Sequence, residues 1–446
     1  MARARQGSGK PDAGASTALQ NIRLKGFKAT RDGIDVSVRP LTLLAGQNSA
    51  GKSTVVQPLL LMKQTLEATH DPGVLELNGP CVKFNEARQL LWQGRSKADK
   101  ANDWEVGLGF GVDTVTIQYQ MRSGGFGLKS TERRHGSDVI RLHANMSESE
   151  RKTAFDSAGL GALPDGYKLD VSVVEDRCAH RLETRLVAAK KSGNSLPFFV
   201  LSPLPAAMLE SIIHLPGLRG HPERAYPVTR AADRYPGAFS PYTASILLAW
   251  AEKKDSRLNA VGEDLGRLGL TWKVAPKRVD DTHVELRVGR LPRPQQGGAQ
   301  DLVNIADVGF GASQVLPVVV ALHAAQPGQI VHIEQPELHL HPNAQVAMAD
   351  LLITAACRGV RLLVETHSSV LLKKVQVAVA EGRNGASSDL VALHWFTRDE
   401  EGVTRVTTAH IEPDGSYGDW PVDFADVEMQ VEQDFINAAV AKLRSL

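Results

Sequence analysis

The sequence predicts an α/β fold: a parallel sheet with crossover helices and a mixed β-layer, plus an α+β insertion and a small C-terminal module. Three observations predict it. Residues 46–54, Gly-Gln-Asn-Ser-Ala-Gly-Lys-Ser-Thr, satisfy every fixed position of the phosphate-loop pattern G-x-x-x-x-G-K-[ST]. Leu41 to Ala45 before the loop reads as a short buried strand, and Val55 to Leu66 after it carries apolar residues at helical spacing. Beyond residue 300, short apolar strands alternate with helical patterns, as parallel strands joined by crossover helices require.

In order, Leu19 to Phe27 alternates as a strand, turns at Arg31-Asp32-Gly33, and returns as Ile34 to Val38 ahead of the phosphate-loop strand. Residues 68–94 are loop-rich, and Trp104 to Met121 alternates like a hairpin. Ser147 to Phe155 reads as a helix, and Tyr167 to Val174 and His180 to Ala188 as strands. Leu204 to His214 reads as a helix, and His221 to Pro241, with its four prolines, as loop. Tyr242 to Leu268 reads as a helix broken near Gly262, and Trp272 to Val288 as strands turning at Asp280-Asp281; Pro292 to Gly298 is a flexible link. Strands follow at Gln329 to Ile333 and Val360 to Glu365, with helices at Asn343 to Ala356 and Ser369 to Glu381. Leu390 to Thr397 and Thr404 to His410 read as strands, and Val427 to Leu443 as an amphipathic helix. No heptads are sustained, which argues against a long coiled-coil arm.

At 446 residues the chain accommodates two or three domains. The expected division is a disordered leader (1–18), an N-terminal lobe with the phosphate loop (19–121), an insertion or lid (122–299), a C-terminal lobe (300–385) and a C-terminal module (386–446). Charge is balanced, 51 Lys+Arg against 50 Asp+Glu, so any nucleic-acid contact needs a local patch. The three cysteines are far apart and form no C-x-x-C pair, which fits a reducing cytoplasm and disfavours a disulfide framework or structural zinc. No apolar run approaches ~20 residues, so no transmembrane helix and no membrane partner are expected. The first residues lack the apolar stretch of a signal peptide.

The chemistry of the phosphate loop is direct. Gly46 and Gly51 let the backbone curl so that successive N–H groups converge on phosphate oxygens, and the following helix adds its positive dipole end. Lys52 is placed for the β- and γ-phosphates, and the Ser53 hydroxyl for Mg²⁺. Glu334 closes an apolar strand in the Walker B manner, where an acid meets Mg²⁺ opposite Ser53, directly or through water. In the stretch 307–314, Gly309 and Gly311 permit close backbone approach. Ser313 opens the apolar helix Val315 to His323 and either offers its hydroxyl and N–H groups to a phosphate or merely caps a core helix. His367, after the second buried strand, either contacts the γ-phosphate or attacking water or is held by a local carbonyl. His339, His341 and Glu337 crowd together, but the extended segment before Pro342 favours structural or inter-subunit contacts over a metal site.

In this order, the phosphate loop, the G-x-G-x-S-Q stretch, the strand running into E-Q-P-E-L-H-L-H-P and the T-H-S segment resemble the ABC-class ATPases. The openings IRLKGFKAT and IDVSVRPLTLLAGQNSAGKST, together with VGFGASQVLP, resemble more closely the OLD- and RecF-like branch of prokaryotic defence and repair systems. The resemblance covers residues 17–70 and 300–446 well, and the middle only through HLPGLRGHPERAY, similar to that family's strand and loop after the lid. The stretch DGSYGDWPVDFAD and the final helix resemble a C-terminal module of an ATPase-only subgroup. The resemblance implies an ABC-type P-loop head. Gly46, Asn48, Ser49, Gly51, Lys52, Ser53 and Thr54 would bind ATP and Mg²⁺, with Glu334 as Walker B acid. Gly309, Gly311 and Ser313 would be the signature completing a second subunit's site, and His367 the switch histidine. Lys28 and Arg31, beside Phe27, would approach the base or phosphates. Two ATP molecules would be sandwiched in a head-to-tail homodimer or a higher even-numbered assembly.

Gln335 departs from the pattern. Many ABC ATPases place a catalytic glutamate there, and glutamine orients water without accepting its proton. Either Glu337 or His367 then supplies the base, or hydrolysis is slow and ATP acts mainly as a clamp; slow hydrolysis is the expectation. Residues 376–446 hold no D-x-D, so no Toprim nuclease of the OLD type is expected. Resemblance to the ATPases of the Septu and PARIS anti-phage systems implies a sensor or scaffold for a separate effector, a nuclease or toxin. A RecF-like DNA-repair ATPase is the alternative, with Arg133, Arg134, Lys190, Lys191, Lys253 and Lys254 as candidate DNA contacts. A transporter subunit fits poorly with the long insertion.

Overall fold

The computed structural model describes residues 18–96, 99–157, 167–188, 195–229, 234–291, 301–418, 432–438 and 440. Strand β1 (Asn21–Lys25) pairs antiparallel with β2 (Ile34–Ser37), and both bury alternate apolar side chains. Strand β3 (Leu41–Gly46) is buried along its whole length, as a strand covered on both faces must be. A 3₁₀ turn, Ser53–Val55, leads into α1 (Gln57–Glu67), whose Pro58 sits in the first turn, where a missing N–H costs nothing. Strands β4 (Asp103–Phe110), β5 (Asp113–Arg122), β6 (Gly125–His135) and β7 (Asp138–Leu142) join β1 and β2 in a six-stranded antiparallel sheet, ordered β2-β1-β4-β5-β6-β7. The predicted hairpin at 104–121 is its middle; β6 and β7 extend it into the segment expected to be insertion.

Helix α2 (Glu148–Ser157) precedes a three-stranded antiparallel sheet of β8 (Tyr167–Glu175), β9 (His180–Ala188) and β10 (Ser195–Leu201), ordered β10-β9-β8. The helix predicted at 204–214 is shorter: α3 (Ala206–Glu210) stops, and β11 (Ile213–Leu215) continues as a buried strand pairing parallel with residues 331–333. After β12 (Tyr226–Pro227) come α4 (Thr243–Glu252) and α5 (Arg257–Arg267). The break between them lies at 253–256, where Lys254 adopts φ 53°, and not near Gly262. Gly262 is inside α5, where a Cβ would come within 3.2 Å of the Trp272 carbonyl oxygen. Strands β13 (Val274–Arg278) and β14 (His283–Gly289) form the predicted hairpin, and β15 (Leu302–Asn304) pairs with β14. The link at 292–298 lies outside the described residues.

The chain then alternates α6 (Phe310–Ala324), β16 (Ile330–Glu334), α7 (Pro342–Cys357), β17 (Arg361–Glu365), α8 (Ser369–Ala380), β18 (Val391–Arg398) and β19 (Thr404–Ala409). The central sheet is ordered β11-β16-β17-β3-β18-β19, parallel except for β19. Residues 391–409, assigned from sequence to a separate C-terminal module, are thus two strands of the sheet that carries the phosphate loop. Residues 419–431 lie outside the described set, and with them most of DGSYGDWPVDFAD; residues 432–438, within the predicted final helix, are helical and exposed.

Alternation sends the sheet's side chains into two cores. Leu41, Leu43, Val331, Ile333, Leu362 and Val364 pack with helices α4 to α8; Leu44, Ile330, Leu363 and Phe396 pack against the antiparallel sheet and α1. Each such side chain contributes about 1.5–3 kcal/mol on burial. The strand ends converge with the phosphate loop, where the crevice outside the carboxyl ends of parallel strands is expected to take ligands.

Candidate functional site

The loop is braced from behind. Gly46 has φ 133°, and a Cβ there would lie 2.1 Å from the Phe396 carbonyl oxygen of β18. Gly51 has φ 106°, and its Cβ would lie 2.7 Å from Thr404 Oγ1 of β19, a hydroxyl that donates to the Ala50 carbonyl at 2.9 Å. Both glycines are therefore fixed by conformation and by packing. Lys52 folds over the loop and donates from Nζ to the carbonyls of Gly46 (3.1 Å) and Gln47 (2.8 Å). Burial lowers its pKa, opposed by the charges of Glu365 and Glu337.

In front of the loop is a polar cleft of about 500 Å³. It is lined by Asn48, Ser49, residues 51–54, Lys28, Gln57, Gln335, Glu365, His367 and Arg398. The predicted residues Asn48, Ser49, Gly51, Lys52, Ser53, Thr54, Lys28, Gln335 and His367 are brought together here. Lys28, at φ 48°, donates to Gln57 Oε1 at 2.6 Å, its ammonium 4.6 Å from the Phe84 ring centre; burial lowers its pKa. Arg31 is elsewhere. It pairs with Asp32 (2.8 Å) and Glu401 (2.6 Å) and lies over Trp92, tying the antiparallel layer to the β18–β19 turn.

The acids are arranged differently from the expectation. Glu334 and Glu365 are register partners at the ends of β16 and β17. Ser53 Oγ donates to Glu365 Oε2 at 2.6 Å, whereas Glu334 Oε2 accepts the Gly217 N–H at 3.0 Å and does not line the cleft. The reason is strand order: β17 is the neighbour of β3, and β16 lies one strand farther from the loop. Gln335 follows at φ 45°, a conformation rare outside glycine, with its N–H on the Glu365 carbonyl at 2.8 Å. Glu337 sits behind the cleft wall. Its Oε1 accepts Thr366 Oγ1 (2.9 Å) and the His367 N–H (2.8 Å), while Oε2 is buried with no partner among the described residues. Burial raises its pKa. Burial, and then the Lys52 charge, lowers that of His367, so its imidazole is neutral at neutral pH.

Helix α6 begins at Phe310, three residues before Ser313, with Gly309 as its N-cap. Ser313 Oγ donates to the Phe310 carbonyl at 2.8 Å. Gly309, Gly311 and Ser313 do not line the cleft. The Phe310 ring is partly exposed and meets His221 and His339 edge-on. His341 caps α7, accepting the Asn343 N–H. Arg219, buried and not singled out from sequence, donates to the carbonyls of Gln314 (3.2 Å) and Glu334 (2.6 Å), joining the first turns of α6 to the end of β16. Its segment, HLPGLRG, was noticed only through resemblance; a lone arginine in a loop forms no pattern.

Of the candidate DNA contacts, Arg133 faces Asp113 (3.6 Å) and Arg134 faces Glu132 (3.1 Å). Lys253 and Lys254 lie at the α4–α5 break, and Lys190 and Lys191 fall outside the described residues.

Residues 276–373 match a family profile described as "AAA domain, putative AbiEii toxin, Type IV TA system". The match spans residues 309–313, Glu334 and His367 but not the phosphate loop. Comparison with curated proteins found no match. Among solved structures, the chain is similar to an SMC head bound to the C-winged helix domain of ScpA (12% identity, TM-score 0.49, covering 88% of this chain and 98% of that one). It is also similar to the SMC head domain of Thermotoga maritima (12%, TM-score 0.38, 89% and 99%). A third is the Smc head domain with an extended coiled coil bound to the C-terminal domain of ScpA, from Pyrococcus furiosus (11%, TM-score 0.40, 94% and 99%). With its phosphate loop on the central strand of a parallel sheet and an antiparallel layer packed beside it, the chain has an ABC-type P-loop fold.

Proposed function

We propose that this chain binds Mg–ATP in the cleft and hydrolyses it slowly, closing as a head-to-tail dimer that senses or scaffolds for a separate effector, a nuclease or toxin, in a prokaryotic anti-phage system. The observation that carries the nucleotide reading is the cleft itself: a complete phosphate loop faces Glu365, Gln335 and His367 across one polar space. Lys52 leaves two neutral carbonyls for anionic phosphate oxygens, a stronger acceptor class. Ser53 and a carboxylate, Glu365 directly or Glu334 after turning from Gly217, hold Mg²⁺, which supplies charge neutralisation at the β/γ oxygens. Gln335 orients water, and Glu337 or the neutral His367 is the available proton acceptor. That Gly309, Gly311 and Ser313 lie off the cleft supports their use in trans.

The match to a toxin-associated AAA domain supports a defence role over repair, and the pairing of Arg133 and Arg134 with carboxylates weakens a basic DNA groove. The experiment is ATP binding and turnover by the full chain. Wild type should bind Mg–ATP and turn it over slowly; Lys52→Ala should bind at least about 100-fold more weakly; Gln335→Glu should raise turnover by about 10²–10⁴, the usual worth of a general base. Full activity of Lys52→Ala would sink the account.

A further inference from the structure

The parallel sheet carries a row of polar side chains, two of which, the buried His214 and His332, have no part in the nucleotide site. It crosses three adjacent strands and ends on the phosphate loop. His214 of β11 and His332 of β16 are register partners, and Glu365 stands on the next strand, β17. His214 Nδ1 lies 3.0 Å from His332 Nδ1; His332 Nε2 lies 3.1 Å from Glu365 Oε1; and Ser53 Oγ lies 2.6 Å from Glu365 Oε2. His214 and His332 are 2% and 1% exposed.

The hydrogen-bond directions in this row follow from the charge at its far end. An ionised carboxylate only accepts, so His332 Nε2 carries the hydrogen. With His332 neutral, its other nitrogen accepts and His214 Nδ1 is the donor between the two rings. The ring centres are 5.1 Å apart and the planes differ by 6°, yet the nearest nitrogens are 3.0 Å apart, so the rings meet edge to edge with one proton between them. Burial and the neighbouring His332 hold His214 neutral, lowering its pKa well below the ordinary value. The same geometry disfavours a cation at His214, His332 and Glu334, although their donor atoms lie within 4.8 Å of one another. The two Nδ1 atoms point at each other, and Glu334 Oε2 is engaged by Gly217.

We propose that His332 and His214 are a positioning pair for the phosphate–cation centre. They fix the Glu365 carboxylate so that it accepts the Ser53 hydrogen bond and leaves the Ser53 oxygen lone pairs turned towards a divalent cation. This rests on the reading that the cleft binds Mg–ATP. Without His332, Glu365 Oε1 loses its donor, the carboxylate is free to rotate, and Ser53 is no longer held. His214 acts one step farther out, by fixing the His332 tautomer. Such outer partners orient the groups that meet a cation.

The test is binding of a fluorescent ATP analogue by the full-length protein, in EDTA and across a Mg²⁺ titration, with folding checked by circular dichroism. His332→Ala should raise the Mg²⁺ concentration for half-saturation by about tenfold or more, the usual cost of losing an outer partner, and weaken metal-free binding by less than about twofold. His332→Gln, whose amide restores a donor to Glu365, should recover most of the loss. His214→Asn, which keeps a donor towards His332, should resemble wild type, and His214→Leu should show an intermediate loss. Equal weakening with and without Mg²⁺, or no change in either, overturns the pair's role while leaving nucleotide binding standing. Absence of binding by the wild type overturns the functional reading and this proposal with it.

Discussion

At the scale of single residues, the cleft depends on where charge is held and where it is withheld. Glu337 illustrates the second. Its carboxyl is buried, one oxygen has two donors and the other none among the described residues, and its pKa is raised. The ionised form is therefore disfavoured in the folded chain relative to the unfolded one, and the group withdraws stability as pH rises from the unfolded carboxylate value through the raised folded one. Glu337→Gln keeps an acceptor for Thr366 and His367 and removes the charge. Melting at pH 7 should rise by about 1 °C, as ~1 kcal/mol does in a chain of this size, and the gain over wild type should vanish at a pH below both values. Turnover by the same variant separates the two candidate bases. A rate unchanged from wild type excludes Glu337 and leaves His367, whose neutral imidazole faces the cleft.

At the scale of elements, the loop owes its shape to strands that follow it by some 350 residues. Thr404 of β19 is buried and donates to the Ala50 carbonyl, and its backbone N–H donates to Ala29. Thr404→Val keeps the shape and removes one donor, leaving the Ala50 carbonyl unpaired, a loss of about 1–3 kcal/mol. Chemical denaturation should show that loss, and ATP affinity should fall because the loop is no longer pre-shaped. Unaltered stability would mean that Thr404 merely fills space. This support was invisible in the sequence, which read β18 and β19 correctly as strands but assigned them to a separate module, because a strand's pattern does not name its neighbours. The same gap explains the acids. Both Glu334 and Glu365 end apolar strands, and only the order β16-β17-β3 places Glu365 beside Ser53. The phosphate loop itself was legible because its chemistry demands fixed residues at fixed spacing. Three-residue β11 was not, since so short a run continues the preceding helical pattern, and β6 was masked by its Gly-rich start and its charged run from Lys129 to His135.

At the scale of the whole molecule, the phosphate loop and the stretch 309–313 do not meet within one chain. The phosphate loop opens into the cleft, while the N-terminus of α6, with Ser313 and the partly exposed Phe310, lies outside it. If each half-site is completed by a second copy, two different defects should complement. Lys52→Ala destroys the loop half and spares the signature; Ser313→Arg blocks the signature half and spares the loop. Each variant alone should be inactive in ATP turnover and remain monomeric with Mg–ATP in sedimentation. Mixed in equal amounts, they form heterodimers in which one site pairs an intact loop with an intact signature. The mixture should then recover turnover, up to about half of wild type, since each variant pairs only with the other and each heterodimer has one working site of two. An arrangement in cis predicts no recovery at any ratio, because each chain would carry its own defect into its own site. Activity that stays at the level of the single variants, with both proteins folded, would remove the dimeric reading and leave a nucleotide-binding head acting alone.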